Sequence, residues 1–207
     1  MYIMGAIAVV GLFQRNVRFW GRIILFVLSM MWLWTAIFYH LWFFSKINSA
    51  AILFGTLFFF QGFLFLMNGA KRKLNLGASL TRYDLVGGFF ILYAMALYPF
   101  IGKLAGHSWP GMPVFGVTPC PVVIFTFGVL LFVKARVALS ILLIPLVWSM
   151  IGTVAAIQLG MYEDYGLLVA GIAGTVLILQ RNRSYPVRVP ARRRESRPGG
   201  GELQGRT

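Results

Sequence analysis

Seven apolar runs divide this chain, at 2–13, 23–44, 49–67, 85–102, 113–133, 139–158 and 161–180, and most of them approach 20 residues. An α-helix of that length, rising about 1.5 Å per residue, crosses the roughly 30 Å hydrocarbon core of a bilayer. Lipid offers no partner to backbone N–H and C=O groups, so each run must pair them internally, as a helix does. Composition points the same way: 59% of the 207 residues are hydrophobic and only 12% are charged, against roughly 45–50% and 25% in soluble domains. Mean hydropathy is +0.79, so a few aromatic residues do not account for the excess. The expected fold class is all-α: a polytopic transmembrane helical bundle over residues 1–180, with six full spans plus a partial N-terminal helix. Run 2–13 reaches only about 20 Å, so it reads either as an interfacial piece or as a helix with further apolar residues upstream of Met1, the latter being the expectation. It also lacks the basic stretch that opens a signal peptide.

Charge alternates along the linkers. One set holds Arg15, Arg18 and Arg22, then Lys71, Arg72, Lys73 and Arg82, then Lys134 and Arg136, and finally the tail after Gln180; together these carry 17 of the 19 basic residues. The intervening linkers hold only Lys46 and Lys103. By the positive-inside rule the rich set is cytoplasmic. The reading is a multi-pass protein of the cell inner (cytoplasmic) membrane with its N-terminus outside and its C-terminus inside. A net charge of +14 often signals nucleic acid, but topology explains it here, and neither aromatic platforms nor a recognisable module accompanies the basic tail. Residues 181–207, rich in Arg, Pro and Gly, cannot bury enough apolar surface to fold and read as a disordered cytoplasmic tail. Its simplest role is a solvated topology anchor. A sharper one has Arg181, Arg183, Arg188, Arg192, Arg193 and Arg194 contacting anionic lipid head groups, each worth about 1 kcal/mol near the surface.

The polar outliers gather on the other side. His40 falls near the outer end of its run, His107 lies in an outer linker, and Glu163 and Asp164 open the last run. Cys120 sits in the outer half of 113–133, where Pro119 and Pro121 flank it. Each proline lacks an N–H and disfavours helix in the residue before it, so an irregular or re-entrant segment up to Thr118 is expected, with a helix beginning near Cys120. Such a break deep in a membrane needs a protein or aqueous lining. A helix N-terminus there also offers free N–H groups suited to an anion or a thiolate. These considerations define a candidate outer-face polar site of Tyr39, His40, Asn48, His107, Thr118, Pro119, Cys120, Pro121, Glu163 and Asp164. Taken singly, each has a plainer account: Cys120 as a small buried hydrophobe, His40 as an interfacial histidine bonded to backbone beside an aromatic belt, the acids as an exposed turn. Together they are placed to converge, and ionisable groups at membrane depth are functional candidates.

Gly166, Ala170 and Gly174 recur every four residues, as do Gly152 and Ala156; this spacing lets helices approach closely and carries no chemistry. One cysteine excludes an intrachain disulfide. The GxSxG, HExxH, P-loop and GxGxxG motifs are absent, and no cofactor is legible. Neither CxxC nor HxxxH spacing supports a metal centre. The leading functional reading is a small-solute or ion transporter, permease-like, with an outward-facing polar site at the broken helix. The alternatives are a membrane-embedded metal-handling or redox protein using Cys120 with His40 or His107, and a non-catalytic assembly or sensor subunit.

The segments WLWTAIFYHLWFFSKINSAAILFG (32–55), PVFGVTPCPVVIFTFG (113–128) and IPLVWSMIGTVAAIQLGMYEDYGLLVAG (144–171) resemble a bacterial integral-membrane family known as domain of unknown function 6064. The likeness covers most of residues 20–180, and its most specific motif is FG-x-x-PCP-x-x-IFTFG. Tyr39–His40, Asn48, His107 and Glu163–Asp164 also match the family pattern. The resemblance implies a helical membrane protein with no assigned activity. Family members begin further upstream, and the basic tail is peculiar to this chain.

Overall fold

The computed structural model describes residues 1–71, 74–107 and 114–185. Arg72, Lys73, Pro113, and the tail arginines Arg188, Arg192, Arg193 and Arg194 lie outside the described residues. Seven helices form among the described residues: α1 (Tyr2–Leu12), α2 (Val17–Lys46), α3 (Ala51–Ala70), α4 (Arg82–Leu104), α5 (Pro119–Leu130), α6 (Leu139–Leu159) and α7 (Tyr165–Asn182). Five of them, α2, α3, α4, α6 and the last with its preceding 3₁₀ turn, are long and apolar enough to cross a membrane. Their outward faces expose Phe26, Leu53, Phe60, Phe89, Leu143, Ile157 and Val169, among others. Among the described residues there is no strand, only an isolated bridge between Leu76 and Val133.

Six full spans were expected, and five helices have the length and apolar character of one; the fifth run differs. Of 113–133, only 12 residues form a helix, α5, about 18 Å long. The break falls before Pro119, with Thr118 extended at φ −99° and ψ 153°. The prolines also explain how a helix can start inside a bundle. Four N–H groups of a first turn normally lack helical partners. Here Thr118 N–H donates to Val114 C=O (3.2 Å), and Pro119 and Pro121 have no N–H, so only the Cys120 N–H remains, and it faces its own thiol. The N-terminus is therefore much poorer in donors than the sequence suggested. From Pro121 to Val133 every residue is buried, which makes α5 the central helix of the bundle. A helix apolar all round is stable only where it is covered all round.

The far end of α5 is closed by specific bonds. Arg181, placed with the tail by its position in sequence, is 5% exposed in the last turn of α7. Its Nη1 donates to the carbonyls of Leu130 (3.0 Å) and Leu131 (2.7 Å), both left open by the end of α5. Cationic donors at a helix C-terminus satisfy these groups and complement the helix dipole. Asn182 exchanges two bonds with the backbone of Val137 (3.0 and 2.8 Å). Gly77 N–H donates to Phe132 C=O (3.2 Å), Lys134 N–H to Asn75 C=O (2.7 Å) and Ala78 N–H to Leu12 C=O (2.7 Å). Lys134 Nζ bonds both oxygens of Asp84 (2.9 and 3.0 Å), and Asp84 in turn closes a capping box with Thr81 at the start of α4. The linkers rich in Lys and Arg thus meet at one end of the bundle.

In the middle, the Trp32 indole N–H donates to Thr126 Oγ1 (2.9 Å), tying α2 to α5. Helix α4 reaches α5 through paired glycines: a Cβ at Gly87 would come within 2.7 Å of Gly128 C=O, and one at Gly128 within 2.9 Å of Gly87 C=O. Neighbouring Gly88 meets nothing within 4 Å. These two adjacent positions separate packing from propensity. Gly87→Ala is expected to cost about 1–3 kcal/mol by overpacking. Gly88→Ala is expected to be neutral or to gain up to about 1 kcal/mol of helix propensity. Denaturant unfolding in detergent micelles measures both, and equal effects at the two positions would rule out the α4–α5 contact.

Candidate functional site

Two helices change pitch on approaching the end of the bundle opposite the basic linkers. In α2, Thr35 Oγ1 bonds the carbonyls of Met31 and Trp32 (both 3.0 Å), and from Thr35 to Phe43 the helix widens to a π-helix. A serine or threonine hydroxyl competing for helix carbonyls loosens the ladder in this way. In α4, Pro99 cannot donate to Met95, and the stretch Tyr93–Leu97 is again π-helical, with Tyr98 N–H bonding Tyr93 C=O. An extra residue in a turn rotates every side chain beyond it, and π segments recur at functional sites. The first carries Tyr39 and His40; the second delivers Tyr93 and Tyr98.

Between them, against the first turn of α5, lies a cavity of about 360 Å³. Tyr39, Asn48, Thr118, Pro119, Cys120 and Asp164, all expected at the site, line it, together with Phe44, Phe54, Tyr98 and Trp148. Asp164 is 7% exposed, and its Oδ1 accepts a hydrogen bond from the Tyr98 hydroxyl (2.6 Å). The partly buried Cys120 thiol lies against the Asp164 carboxylate and the Trp148 indole. Gly160, at φ +69°, ends α6 in a left-handed cap and folds the chain into the 3₁₀ turn Tyr162–Asp164, which places the carboxylate.

The other predicted residues divide differently. Glu163 is fully buried but faces His107, whose Nδ1 pairs with its Oε1 at 2.9 Å. The Tyr93 hydroxyl donates to the Glu163 backbone carbonyl (2.8 Å). The acids are therefore not an exposed turn, and Glu163 and His107 form a pair outside the cavity lining. Pro121 is buried within α5. His40 is fully buried behind the cavity wall, with its ring 4.7 Å from that of Phe58 and 5.0 Å from that of Trp148. Neither of its nitrogens has a hydrogen-bond partner among the described residues, which overturns the interfacial, backbone-bonded reading of this residue. No group of three or more His, Cys, Asp and Glu side chains that could hold a metal exists among the described residues.

Tyr98 and Trp148 were missed because each is one aromatic residue inside an apolar run. The one signal for Tyr98 was Pro99, whose missing N–H marks the disturbed helix just before it. Tyr98→Phe removes a short buried bond and is expected to lower stability by about 1–3 kcal/mol. Tyr39→Phe, at a hydroxyl that bonds no described residue, should stay within about 0.5 kcal/mol of the parent protein. Thermal or denaturant unfolding in micelles distinguishes them, and an undiminished Tyr98→Phe would exclude the bond to Asp164.

A family model described as a family of unknown function (DUF6064) matches residues 1–188. No curated protein and no solved structure matches the chain.

Proposed function

The chain belongs to the family of unknown function DUF6064, and from that membership and the cavity we propose that it is a membrane-embedded, permease-like protein that takes a small solute at the broken start of α5. One observation carries the reading: a 360 Å³ cavity between helices long enough to cross a membrane, lined by aromatic rings around a buried carboxylate and a thiol. Pockets that bind small molecules are mostly apolar with a few convergent polar groups, and helical bundles build them between helices. A solute at this site would sit where α5 has not yet begun, so its entry requires no helix to unwind. The cavity walls come from α2, α3, α4, α6 and the 3₁₀ turn before α7. Relative movement of those helices would change its access, and both π segments lie next to it.

In this reading the bundle stands in the cytoplasmic membrane with its basic linkers and tail in the cytoplasm, because 17 of 19 Lys and Arg residues lie on that side. Anionic head groups then face Arg183 and the basic residues beyond it. The cavity opens to the opposite side. Metal handling through Cys120 gains no support from the placement of the histidines, since His107 is paired with Glu163 and His40 lies behind Trp148.

Orientation is tested with reporter fusions. A cytoplasm-active reporter is expected to work after residue 185 and a periplasm-active one after residue 107; the reverse pattern refutes the orientation. Access to the cavity is tested at its thiol. A membrane-impermeant thiol reagent applied to intact cells is expected to label Cys120, and Cys120→Ser is expected to abolish labelling. A Cys120 that no reagent reaches from either side of the membrane, in protein that unfolds cooperatively, removes the basis for a solute site.

A further inference from the structure

The chemistry of the cavity also bears on the kind of solute, an inference that rests on the reading just given. Among the described residues Asp164 is the one acidic residue lining the cavity, and no Lys, Arg or His lines it. Charge there is therefore unbalanced on the negative side. The neighbouring histidine is engaged elsewhere, its Nδ1 held by Glu163 at 2.9 Å. An incoming anion would meet the Asp164 carboxylate beside the first turn of α5, where two prolines have removed N–H donors that an anion would use. A neutral solute would shut the carboxylate away from water without a counter-charge, which is costly. A bare metal ion lacks ligands, since the described residues hold no group of three metal-binding side chains.

Five aromatic residues, Tyr39, Phe44, Phe54, Tyr98 and Trp148, share the wall with small, aliphatic and uncharged polar ones. Aromatic faces attract cations, best when both are removed from water, and rings around a negative charge are a means of holding an ammonium ion whose charge is spread over carbon substituents. The volume of about 360 Å³ lies at the small end of ligand sites, which limits the guest to a few carbons around the charge. We propose that the cavity binds a small organic ammonium ion, its charge facing Asp164 and its alkyl groups against the aromatic wall.

Three probes of nearly one shape separate the possibilities: choline, its neutral isostere 3,3-dimethylbutan-1-ol, and the anion 3,3-dimethylbutanoate. Each is titrated against the purified full-length chain in lipid nanodiscs. The readouts are tryptophan fluorescence and protection of Cys120 from a thiol reagent. Choline is expected to protect Cys120 and to bind at least about tenfold more tightly than the neutral isostere, with the anion showing no protection. In Asp164→Asn the preference for choline over the isostere is expected to vanish. The comparison among probes on the unmodified chain needs no variant, so a misfolded Asp164→Asn leaves the test intact. Equal binding of choline and its isostere, or preference for the anion, overturns the cation assignment and leaves a solute site in place. Cys120 labelled freely and protected by none of the three also overturns the cation assignment. A Cys120 that cannot be labelled at all overturns the solute site itself.

Discussion

A helix that begins in the middle of a protein must account for its unpaired backbone groups at both ends, and α5 does so differently at each. At its C-terminal end the carbonyls of Leu130 and Leu131 take the guanidinium of Arg181, and Phe132 takes the N–H of Gly77. At its N-terminal end the donors are mostly deleted by proline rather than paired. The first solution pulls α7 and residues 74–81 onto α5 and closes one end of the bundle. The second asks for no covering group, and the space left there is the cavity. The position of Cys120, the burial of α5 from Pro121 onward and the location of the cavity all follow from that asymmetry.

The middle of α5 is joined to the cavity wall through a row of side-chain contacts. Trp32, bonded to Thr126 in the middle of α5, packs on Phe65 on one side and on Phe58 on the other; Phe58 contacts His40, and His40 contacts Trp148 at the cavity wall. This aromatic column includes His40, whose nitrogens have no partner among the described residues. A buried polar group without a partner stores free energy that a rearrangement would release. It lies in a π-helical stretch, where the backbone ladder is already loosened. Small residues allow close contact between α6, α7 and α5: Gly152 packs on Leu167, Gly171 on Ser149 and Gly174 on Phe127.

Much of this is legible in the sequence. Hydropathy and run length placed the helices to within a few residues for 49–67, 85–102 and 139–158, because the need to pair backbone groups in apolar surroundings acts along one segment at a time. The break at Pro119 followed from the missing N–H groups of proline, a local property. The gathering of Tyr39, Asn48, Thr118, Cys120 and Asp164 was legible from their common side of the topology. Less accessible were the surroundings of the fifth run: proline chemistry shortens its helix, but only burial on all sides makes it a core helix. Arg181 looked like the first residue of a tail because charge alone cannot distinguish a solvated arginine from one that caps a neighbouring helix.

What the sequence by itself determined is the all-α class, the order and approximate limits of the helices, the interruption at Pro119-Cys120-Pro121 and the segregation of basic linkers from the histidines, thiol and acids. Hydrophobic run length, proline chemistry and charge act through neighbours in the chain, so they can be read along it. Only the tertiary structure decided which polar groups meet. Asp164 turned to Tyr98 and Cys120 while adjacent Glu163 turned to His107, and Tyr98 and Trp148 joined the wall while His40 passed behind it. Depth in a bundle can be estimated by counting residues, but rotation about each helix axis cannot. Here that rotation is set by two π-helical stretches and by glycine contacts between helices, which depend on what packs against them.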